Sequence, residues 1–498
     1  MAWLTKSRFL AGLQCPKRLW FEVHAPLEES LPVSVAQLNG RAVDKLLQQL
    51  KPGLIIERTQ SLPAAIAATR GILQAGAPPI LYQPAFRAGN FAVIADVLQT
   101  RAGGSTLMEL KSATSVKPEH LPDVGFQTLV LRGAGIDVDR VLLAHIDAQF
   151  ELLRTGDYDG LLIEQDLTPE VEALLPQVEA SAAELGEVMA SSEMPRIAMG
   201  AQCTRPHTCP FIARCTAQQG AGPDYPVELL PRGGKIVPAL RAEGYRDLAL
   251  VPGGRLKGAV HRRVHEATVT GRVYFDPAAT QALRRLSYPM AYLDFETIGL
   301  AVPEFLGTHP YEPWPFQWSL HVEDAPGRIR HAEYLATTAL GDLARLADAL
   351  LREVPDAGPV FAYNASFEKG VLLRIADRLP GHANALRELA ARLIDLLPVT
   401  RTAYYHRDMQ GSWSIKAVLP TLAPELGYDQ LNEVQEGDGA QRALLEIRGG
   451  NPSAARRIEL EQALLRYCER DTWALVVLRR FLCGEPAAPS ASPPGSAL

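Results

Sequence analysis

The chain has 498 residues, of which 47% are hydrophobic and 21% charged, with a formal net charge of −6. These values are typical of a globular protein with two or three domains, and they exclude a chain coated in positive charge. The chain contains no run of about 18 apolar residues, which a helix would need to cross a bilayer. No apolar segment follows the charged start, as it would in a signal peptide. The sequence therefore predicts a cytoplasmic protein with no membrane partner.

Three strand-like runs in the first half of the chain, 80–86, 91–98 and 106–110, bring acids close to a lysine. The second run carries Asp96. The third carries Glu109 and leads into Lys111, and these two side chains share a face because side chains alternate along a strand. The acids are typical ligands of Mg²⁺ or Mn²⁺, and the lysine could polarise an attacking water or a scissile phosphate. A solvent-side salt bridge between Glu109 and Lys111 is the alternative.

A helix predicted at 119–132 follows the turn after the third run, and a strand predicted at 140–146 completes an α/β sandwich. The helix carries Gln127, which we expect to face the same site. Two glycines, Gly103 and Gly104, mark the turn before the third strand. The order of strand, turn, strand and helix is the core arrangement of a PD-(D/E)XK nuclease site.

Six cysteines occur in the chain, and three of them lie within thirteen residues at Cys203, Cys209 and Cys215. Their spacing is C-x5-C-x5-C, and a fourth cysteine, Cys15, is remote in sequence. A disulfide framework is unusual in a large cytoplasmic protein, whereas four thiolates select zinc or an iron–sulfur cluster. His207 is an alternative fourth ligand and would favour zinc.

The early cysteine, the acid–lysine series and the late cysteine trio together resemble the RecB-type nucleases of CRISPR adaptation and bacterial recombination. The resemblance covers about residues 1–220. It implies a [4Fe-4S] cluster that clamps the ends of the nuclease fold, held by Cys15, Cys203, Cys209 and Cys215. The chain departs from the family at Leu131, where the family has Tyr, and at Gln83, where relatives have an acid.

Residues 221–288 are rich in Gly, Pro and Arg, and 231–285 hold eleven Lys or Arg against four Asp or Glu. Short helices are predicted at 236–242 and 258–267. A basic segment in an acidic protein suits a phosphate backbone. We therefore predict a basic helical linker, which could form a small DNA-binding hairpin or serve as a plain interdomain connection.

Two carboxylates lie one residue apart on an apolar stretch, 292–298, in the second half of the chain. The stretch predicts a buried strand on which Asp294 and Glu296 point to the same face. Uncompensated like charges are costly to bury, and a divalent cation is the usual compensation. An exposed edge strand with two solvated acids is the alternative.

Further acids of the second half of the chain are predicted to lie near this strand. Glu368 comes shortly after a predicted strand at 360–363, at a strand-to-helix junction whose side chains point into the cleft of an α/β sheet. A long helix predicted at 454–482 carries Tyr467 and Asp471, which are four residues apart and therefore share one helix face.

Two other residues could support this site. Asp395 stands at another predicted strand end. Lys416 follows Ser414, a predicted helix cap, and could meet a phosphate.

The series Asp-x-Glu, an acid after Asn-x-x-Phe, and Tyr-x3-Asp resembles the three exonuclease motifs of the DnaQ-like DEDD family, tyrosine subtype. The resemblance implies an RNase H-like fold and 3′→5′ hydrolysis, with two divalent metals about 4 Å apart. It also implies that Tyr467 orients the nucleophilic water. The implied metal ligands are Asp294, Glu296, Glu368 and Asp471, with Glu368 in place of the more common Asp.

Over nearly its whole length the chain resembles a bacterial family of two-nuclease proteins of unknown function. The expected fold is α/β multidomain, with a PD-(D/E)XK restriction-endonuclease-like core, an RNase H-like (DnaQ) domain and a small helical linker between them. The expected boundaries are 1–220, 221–288 and 289–483, followed by a disordered tail at 484–498. The expected function is metal-dependent hydrolysis of single-stranded DNA; the alternative is a nucleic-acid-binding protein in which one or both sites are degenerate.

Overall fold

The computed structural model shows a mixed α/β protein. It describes residues 3–27, 33–57, 61–76, 78–219, 222–338, 340–431 and 433–486. The chain forms two compact units: unit 1 comprises Met1–Ala221 with Leu300–Glu312, and unit 2 comprises Gly222–Gly299 with Pro313–Leu498. The predicted disordered tail lies outside the described residues from 487 onward.

Unit 1 contains two sheets. In the larger sheet the strand order is β2-β3-β6-β7-β8-β9, with β7 and β8 parallel and β7 antiparallel to β6. The smaller sheet has the order β1-β5-β4. The strands are β1 Leu4–Thr5, β2 Leu54–Ile55, β3 Ile80–Tyr82, β4 Ala85–Ala88, β5 Phe91–Ile94, β6 Val97–Arg101, β7 Gly104–Lys111, β8 Val138–Ile146 and β9 Leu162–Asp166.

Several helices of unit 1 pack on these sheets. Helix α5 is buried along most of its length, which explains its weak amphipathic pattern. Ser34 and Gln37 form a capping box that starts α3. The helices are α1 Lys6–Gln14, α2 Pro16–His24, α3 Val35–Leu50, α4 Leu62–Gly76, α5 His120–Gly133, α6 Thr168–Ala190 and α7 Ile212–Gln219.

The predicted runs 80–86 and 91–98 are each divided between the two sheets. The chain leaves β3 at Gln83, whose φ is +56°, and enters β4 in the smaller sheet. It returns between β5 and β6, where Asp96 lies outside both strands. An apolar run read from sequence does not show such a change of sheet, so the prediction of two continuous strands was wrong here.

Unit 2 contains a central sheet of order β13-β12-β11-β14-β15 and a small β10-β16 pair. In the central sheet β13, β12 and β11 run antiparallel, while β14 and β15 run parallel to β11. The strands are β10 Tyr274–Phe275, β11 Met290–Ile298, β12 Trp314–Ala325, β13 Arg328–Leu335, β14 Val360–Ala362, β15 Leu393–Asp395 and β16 Tyr404–Tyr405.

The longest described helix of unit 2, α16, packs against β11 and β12. Ser453 caps its start by accepting the Arg456 amide hydrogen bond at 3.2 Å, and Gly484 ends it with a φ of +70°, a conformation that favours glycine. The helices are α8 Ile236–Ala242, α9 Ala259–Thr270, α10 Leu343–Glu353, α11 Ser366–Arg378, α12 Ala383–Ala391, α13 Leu396–Ala403, α14 Ile415–Leu422, α15 Gly437–Gly449 and α16 Ala454–Cys483.

The segment predicted as a basic linker packs into unit 2. Val227, Leu248 and Val264 are fully buried in one hydrophobic cluster with residues of α16. Two arginines of the segment form ion pairs with glutamates of the same segment: Arg255 pairs with Glu243, and Arg241 pairs with Glu228. Its apolar side chains thus belong to the core of the second unit.

Among the described residues, no helix combines the length and apolar character needed to span a membrane.

Candidate functional site

The acidic site of unit 2 is built on β11 and α16. Asp294 and Glu296 are two residues apart on β11 and therefore share one face of the strand, where they lie opposite Ser319 and Gln317 of β12. Helix α16 covers this face, since the Gln317 side-chain amide donates to the Leu464 carbonyl at 2.8 Å. Asp471 of α16 thereby joins the two acids of β11. One carboxylate oxygen from each of Asp294, Glu296 and Asp471 lies within 4.8 Å of the other two.

The fourth predicted acid, Glu368, lies in the first turn of α11, after the short strand β14 that runs parallel to β11. The residue is 3% exposed, and its Oε2 atom has no hydrogen-bond partner among the described residues. The charges of Asp471 and Asp395 act on it. Asp395 caps α13 by accepting the Leu397 amide at 2.9 Å and also accepts the Asn364 amide at 2.9 Å, so it shapes the adjacent loop.

Burial and mutual repulsion favour protonation of all four acids. Burial, followed by the charges of neighbouring acids, raises the pKa of Glu296 to about 8 and that of Glu368 to about 8. Burial raises the pKa of Asp471 to about 6, and burial together with Asp471 raises the pKa of Asp294 well above its ordinary value. A bound cation would offset this repulsion and favour the ionised carboxylates.

Two tyrosines and a lysine act on Asp471. Tyr428 donates to its carboxylate, and Tyr467, one turn earlier on α16, lowers the pKa of Asp471. Burial and the charge of Asp471 raise the pKa of each phenol far above 10, so both remain O–H donors. Lys416 lies 5.3 Å and 5.1 Å from the ring centroids of Tyr428 and Tyr467, and its charge lowers the pKa of Asp471 and Glu296. The Cys468 thiol is 3.6 Å from Asp294 Oδ2.

The acid–lysine site of unit 1 brings together the residues that the sequence placed there. Lys111 Nζ donates to Glu109 Oε1 at 2.7 Å, and Gln127 Nε2 donates to Glu109 Oε2 at 2.8 Å. Asp96 Oδ2 accepts the Leu110 amide at 3.0 Å. Burial, followed by the charge of Glu109, raises the pKa of Asp96 to about 8.

Two further residues of this site, Lys6 and Asp123, were missed in the sequence. Lys6 Nζ, at the start of α1, donates to the two oxygens of Glu109 at 2.9 Å and 3.2 Å. Asp123 accepts from Lys111 at 2.7 Å and from Gln127 at 2.9 Å. Burial alone would raise the pKa of Glu109, but the charges of Lys6 and Lys111 hold that pKa well below its ordinary value.

Signals for these two residues differ in strength. Asp123 and Gln127 are four residues apart on α5 and therefore share a helix face, a pattern that could have identified Asp123. Lys6 is 103 residues from Glu109 and no local pattern joins them.

The four cysteines predicted to bind a cluster line one cavity of unit 1, together with Lys17 and Arg18. They come from three places in the chain: the junction of α1 and α2, the turn and loop after α6, and helix α7. Gln14 joins the first of these to the second by donating to the carbonyls of Gln202 and His207 at 2.7 Å and 2.6 Å. The cysteines are Cys15, Cys203, Cys209 and Cys215, all free thiols in the structure.

Burial and a basic neighbour act in opposite directions on the pKa of the Cys209 thiol of this cavity. Burial raises the pKa of Cys209, as do Cys15 and Cys203, while Arg18 and a hydrogen bond from the Phe211 backbone lower it. Among the described residues no three cysteine sulfurs lie within 4.8 Å of one another. Tetrahedral zinc, with Zn–S bonds of about 2.3 Å, needs sulfurs only about 3.8 Å apart, so zinc would require the cavity to contract.

Two comparisons with known proteins find similarity. Residues 291–414 match the model of a domain of unknown function, DUF2779. A protein from Mycoplasma pneumoniae, named an uncharacterized protein MG366 homolog, is 27% identical over 222 residues, which cover 40% of this chain and 33% of that protein. The chain thus spans about a third of the length of this curated relative.

Proposed function

We propose that this chain is a metal-dependent nuclease whose principal active site is the acidic site of unit 2. Unit 2 acts there as an RNase H-like, DnaQ-type domain that hydrolyses single-stranded DNA in the 3′→5′ direction. The observation that carries the proposal is the approach of one carboxylate oxygen from each of Asp294, Glu296 and Asp471 to within 4.8 Å of the other two. Such a group is unfavourable unless cations or protons neutralise it, and oxygen-only ligands suit Mg²⁺ or Mn²⁺.

The residues present fit two divalent ions. Glu368 adds a fourth carboxylate, which is buried and has one unpartnered oxygen among the described residues. When bound, such ions supply an activated water and stabilise the leaving oxygen of the phosphodiester. The chain's own contribution is to hold the ions and to exclude bulk water, since Glu296 and Glu368 are less than 10% exposed. The ligands are Asp294, Glu296, Glu368 and Asp471.

The two aromatic donors and the lysine have separate roles. Tyr467 remains protonated, one turn from Asp471 on α16, and its phenol orients the attacking water. Tyr428 fixes the rotamer of Asp471. Lys416 places a positive charge above both rings, where it attracts the substrate phosphate.

In the same proposal unit 1 is a RecB-like PD-(D/E)XK domain. Asp96 and Glu109 would hold a metal ion, Lys111 would polarise the water or the phosphate, and Gln127 holds Glu109 in place. A [4Fe-4S] cluster at the four-cysteine cavity would serve as a structural clamp, since the cavity joins the first helices of the unit to its last one.

One observation favours a second function for unit 1, the binding of nucleic acid without cleavage. Lys6 forms two hydrogen bonds to Glu109, and the charges of Asp96 and Asp123 also stabilise its ammonium. A metal ion between Asp96 and Glu109 would have to displace this ammonium. In the binding alternative both lysines remain paired, and the unit contributes affinity and no cleavage.

The proposal is tested by the shortening of end-labelled single strands, DNA and RNA in parallel, with Mn²⁺, Mg²⁺ or EDTA. Asp294→Asn should reduce metal-dependent cleavage about 100-fold or more, because it removes a metal ligand and its charge. The matched control is Asp377→Asn, whose side chain is 69% exposed and lies in the same unit. It should cleave at the wild-type rate.

The position of the label shows the direction of hydrolysis. If hydrolysis starts at the 3′ end, the products of a 5′-labelled strand should shorten progressively. Absence of cleavage by the wild-type chain with every metal, or equal rates in wild type and Asp294→Asn on all substrates, would contradict the assignment. Faster cleavage of RNA than of DNA would correct the substrate and leave the site in place.

A further inference from the structure

Two histidines face each other on the central sheet of unit 2, and the proposed nuclease reaction does not use them. His321 of β12 and His331 of β13 are directly paired in register, with ring centroids 4.5 Å apart. Glu469 of α16 approaches the same point. A ligand atom from each of the three residues lies within 4.8 Å of the other two.

We propose that His321, His331 and Glu469 form a separate site for a divalent transition metal of the zinc class. Two imidazoles with a carboxylate are a donor set that zinc and similar ions prefer, whereas Mg²⁺ prefers the all-oxygen acidic site. The site joins the edge strand β13 and its neighbour β12 to helix α16.

The second nitrogen of each imidazole is already held by a hydroxyl. His331 Nε2 is 2.9 Å from Ser319 Oγ, and His321 Nδ1 is 2.8 Å from Thr472 Oγ1. These two hydroxyls are 2.8 Å from each other. Metal-binding histidines characteristically anchor one ring nitrogen in this way, which fixes the tautomer and leaves the other nitrogen for the ion.

The remaining nitrogen of His331, Nδ1, is 3.9 Å from Glu469 Oε1. Ligands of tetrahedral zinc with bonds of about 2.0–2.1 Å are about 3.3–3.4 Å apart, so this pair needs to close by about half an ångström. Side-chain rotation of Glu469, which is 34% exposed, can supply that movement. A fourth ligand is available in Glu333, two residues along β13 from His331 and therefore on the same face.

Protons compete weakly for these nitrogens. Burial lowers the pKa of His321 to about 3 and that of His331 to about 4, so both are neutral ligands at neutral pH. The indole of Trp473 lies 5.2 Å from the His321 ring, centroid to centroid, and shields it from water.

The site lies beside the acidic site without sharing ligands. Glu469 and Thr472 flank Asp471 on α16, and Ser319 is paired with Asp294 in the sheet. A metal ion held by the histidines would therefore fix α16 against the sheet next to the acids.

The test uses the full chain after removal of metals with a chelator, followed by titration with Zn²⁺ and with Co²⁺ as a spectroscopic probe. Wild type should bind one more equivalent of Zn²⁺ than His331→Asn, and Co²⁺ should give visible bands that this variant weakens. Thiolate-to-Co²⁺ charge-transfer bands report the cysteine cavity separately. Glu469→Gln should weaken the same equivalent at least about 10-fold.

Matched controls separate this site from its neighbours. Glu459→Gln, an exposed glutamate on the same helix, and Asp294→Asn should both keep the equivalent. If His331→Asn fails to fold, Glu469→Gln carries the test, because its side chain is partly exposed and the change preserves shape. Equal stoichiometry and affinity in wild type and Glu469→Gln would mean a purely hydrogen-bonded polar network, and loss of the equivalent in Asp294→Asn would assign the ion to the acidic site; either result overturns the proposal.

Discussion

Glu296 shows how strongly one residue of the acidic site depends on what surrounds it. Its ordinary pKa is 4.5, and burial with neighbouring acids raises the folded-state value to about 8. Between these two values the folded chain binds more protons than the unfolded chain. The contribution of Glu296 to the free energy of unfolding is therefore fully present below about pH 4.5, and it is lost as the pH rises through about 8.

We expect the metal-free protein to lose thermal stability between about pH 5 and pH 9, with a smaller slope in Glu296→Gln, which cannot ionise. Mg²⁺ or Mn²⁺ should restore Tm most at the upper end, because the metal binds ionised carboxylates. Thermal melts with EDTA or metal across this range provide the measurement. Asp377→Asn should keep the wild-type slope; an identical slope in Glu296→Gln would show that Glu296 ionises normally.

Tyr428 donates to Asp471 and Tyr467 lies one turn from it on α16, but we expect their removal to have different effects. Tyr428→Phe removes a donor that orients a metal ligand, so metal affinity should fall about 10–100-fold with most of kcat retained at saturating metal. Tyr467→Phe should instead lower kcat at every metal concentration, by about 100-fold, because its phenol orients the water. Cleavage rates measured against Mn²⁺ concentration distinguish the two; equal loss of kcat in both variants would contradict the division of roles.

At the scale of elements, α16 must be held firmly because it carries both Tyr467 and Asp471. Arg480 forms a 2.5 Å ion pair with Glu323 of β12, and the Tyr292 hydroxyl lies 3.3 Å from the same carboxylate. Glu323 is fully buried. Removing one partner of such a pair leaves the other charge buried and uncompensated.

Glu323→Ala should accordingly destabilise unit 2 by about 3–5 kcal/mol. Chemical denaturation followed by circular dichroism measures the change. Glu459→Ala, at an exposed position on α16, should change the free energy of unfolding by less than about 1 kcal/mol. A loss below about 1 kcal/mol in Glu323→Ala would mean that water reaches the pair and compensates the arginines.

The elements whose patterns are local could be predicted well. The i, i+2 acids of β11, the i, i+4 pair of α16 and the Glu-x-Lys pair of β7 all lie where alternation and helical spacing place them. The acids' partners Tyr428 and Lys6 could not be predicted, since they lie 43 and 103 residues from Asp471 and Glu109. Such contacts depend on the tertiary fold and leave no periodic signal in sequence.

The limits of the predicted helices and of the predicted linker could be predicted only in part from the sequence. The helix predicted at 258–267 instead runs from Ala259 to Thr270 and ends at Gly271, whose φ is +66°. The segment 221–288 was predicted as a linker rich in Gly, Pro and Arg with basic charge, yet its apolar residues complete the core of unit 2. Charge on a surface does not reveal what the opposite side of the same segment covers.

At the scale of the whole molecule, the cysteine cavity joins residues almost two hundred positions apart, as the 188-residue separation of Gln14 and Gln202 illustrates. A cluster that closes so long a loop should stabilise unit 1. Anaerobically purified protein should be brown and contain iron. Cys15→Ser should lose colour and iron and melt at a lower temperature, whereas His207→Asn should keep all three properties. Stoichiometric zinc that His207→Asn removes would replace the iron–sulfur proposal with a zinc site.

Each of the two units carries its own acids, so cleavage could be divided between them. Asp294→Asn should leave a slower metal-dependent cleavage if unit 1 is active, and adding Lys111→Met should abolish it, because Lys111 contacts Glu109 and Asp123 directly. If unit 1 only binds, Asp294→Asn alone should abolish cleavage, and Lys111→Met should weaken binding of single-stranded DNA in a gel-shift assay. The matched control, Lys51→Met, removes a lysine that pairs with Glu164 in the same unit. Cleavage that survives in the Asp294→Asn, Lys111→Met double variant would show that neither site performs the reaction.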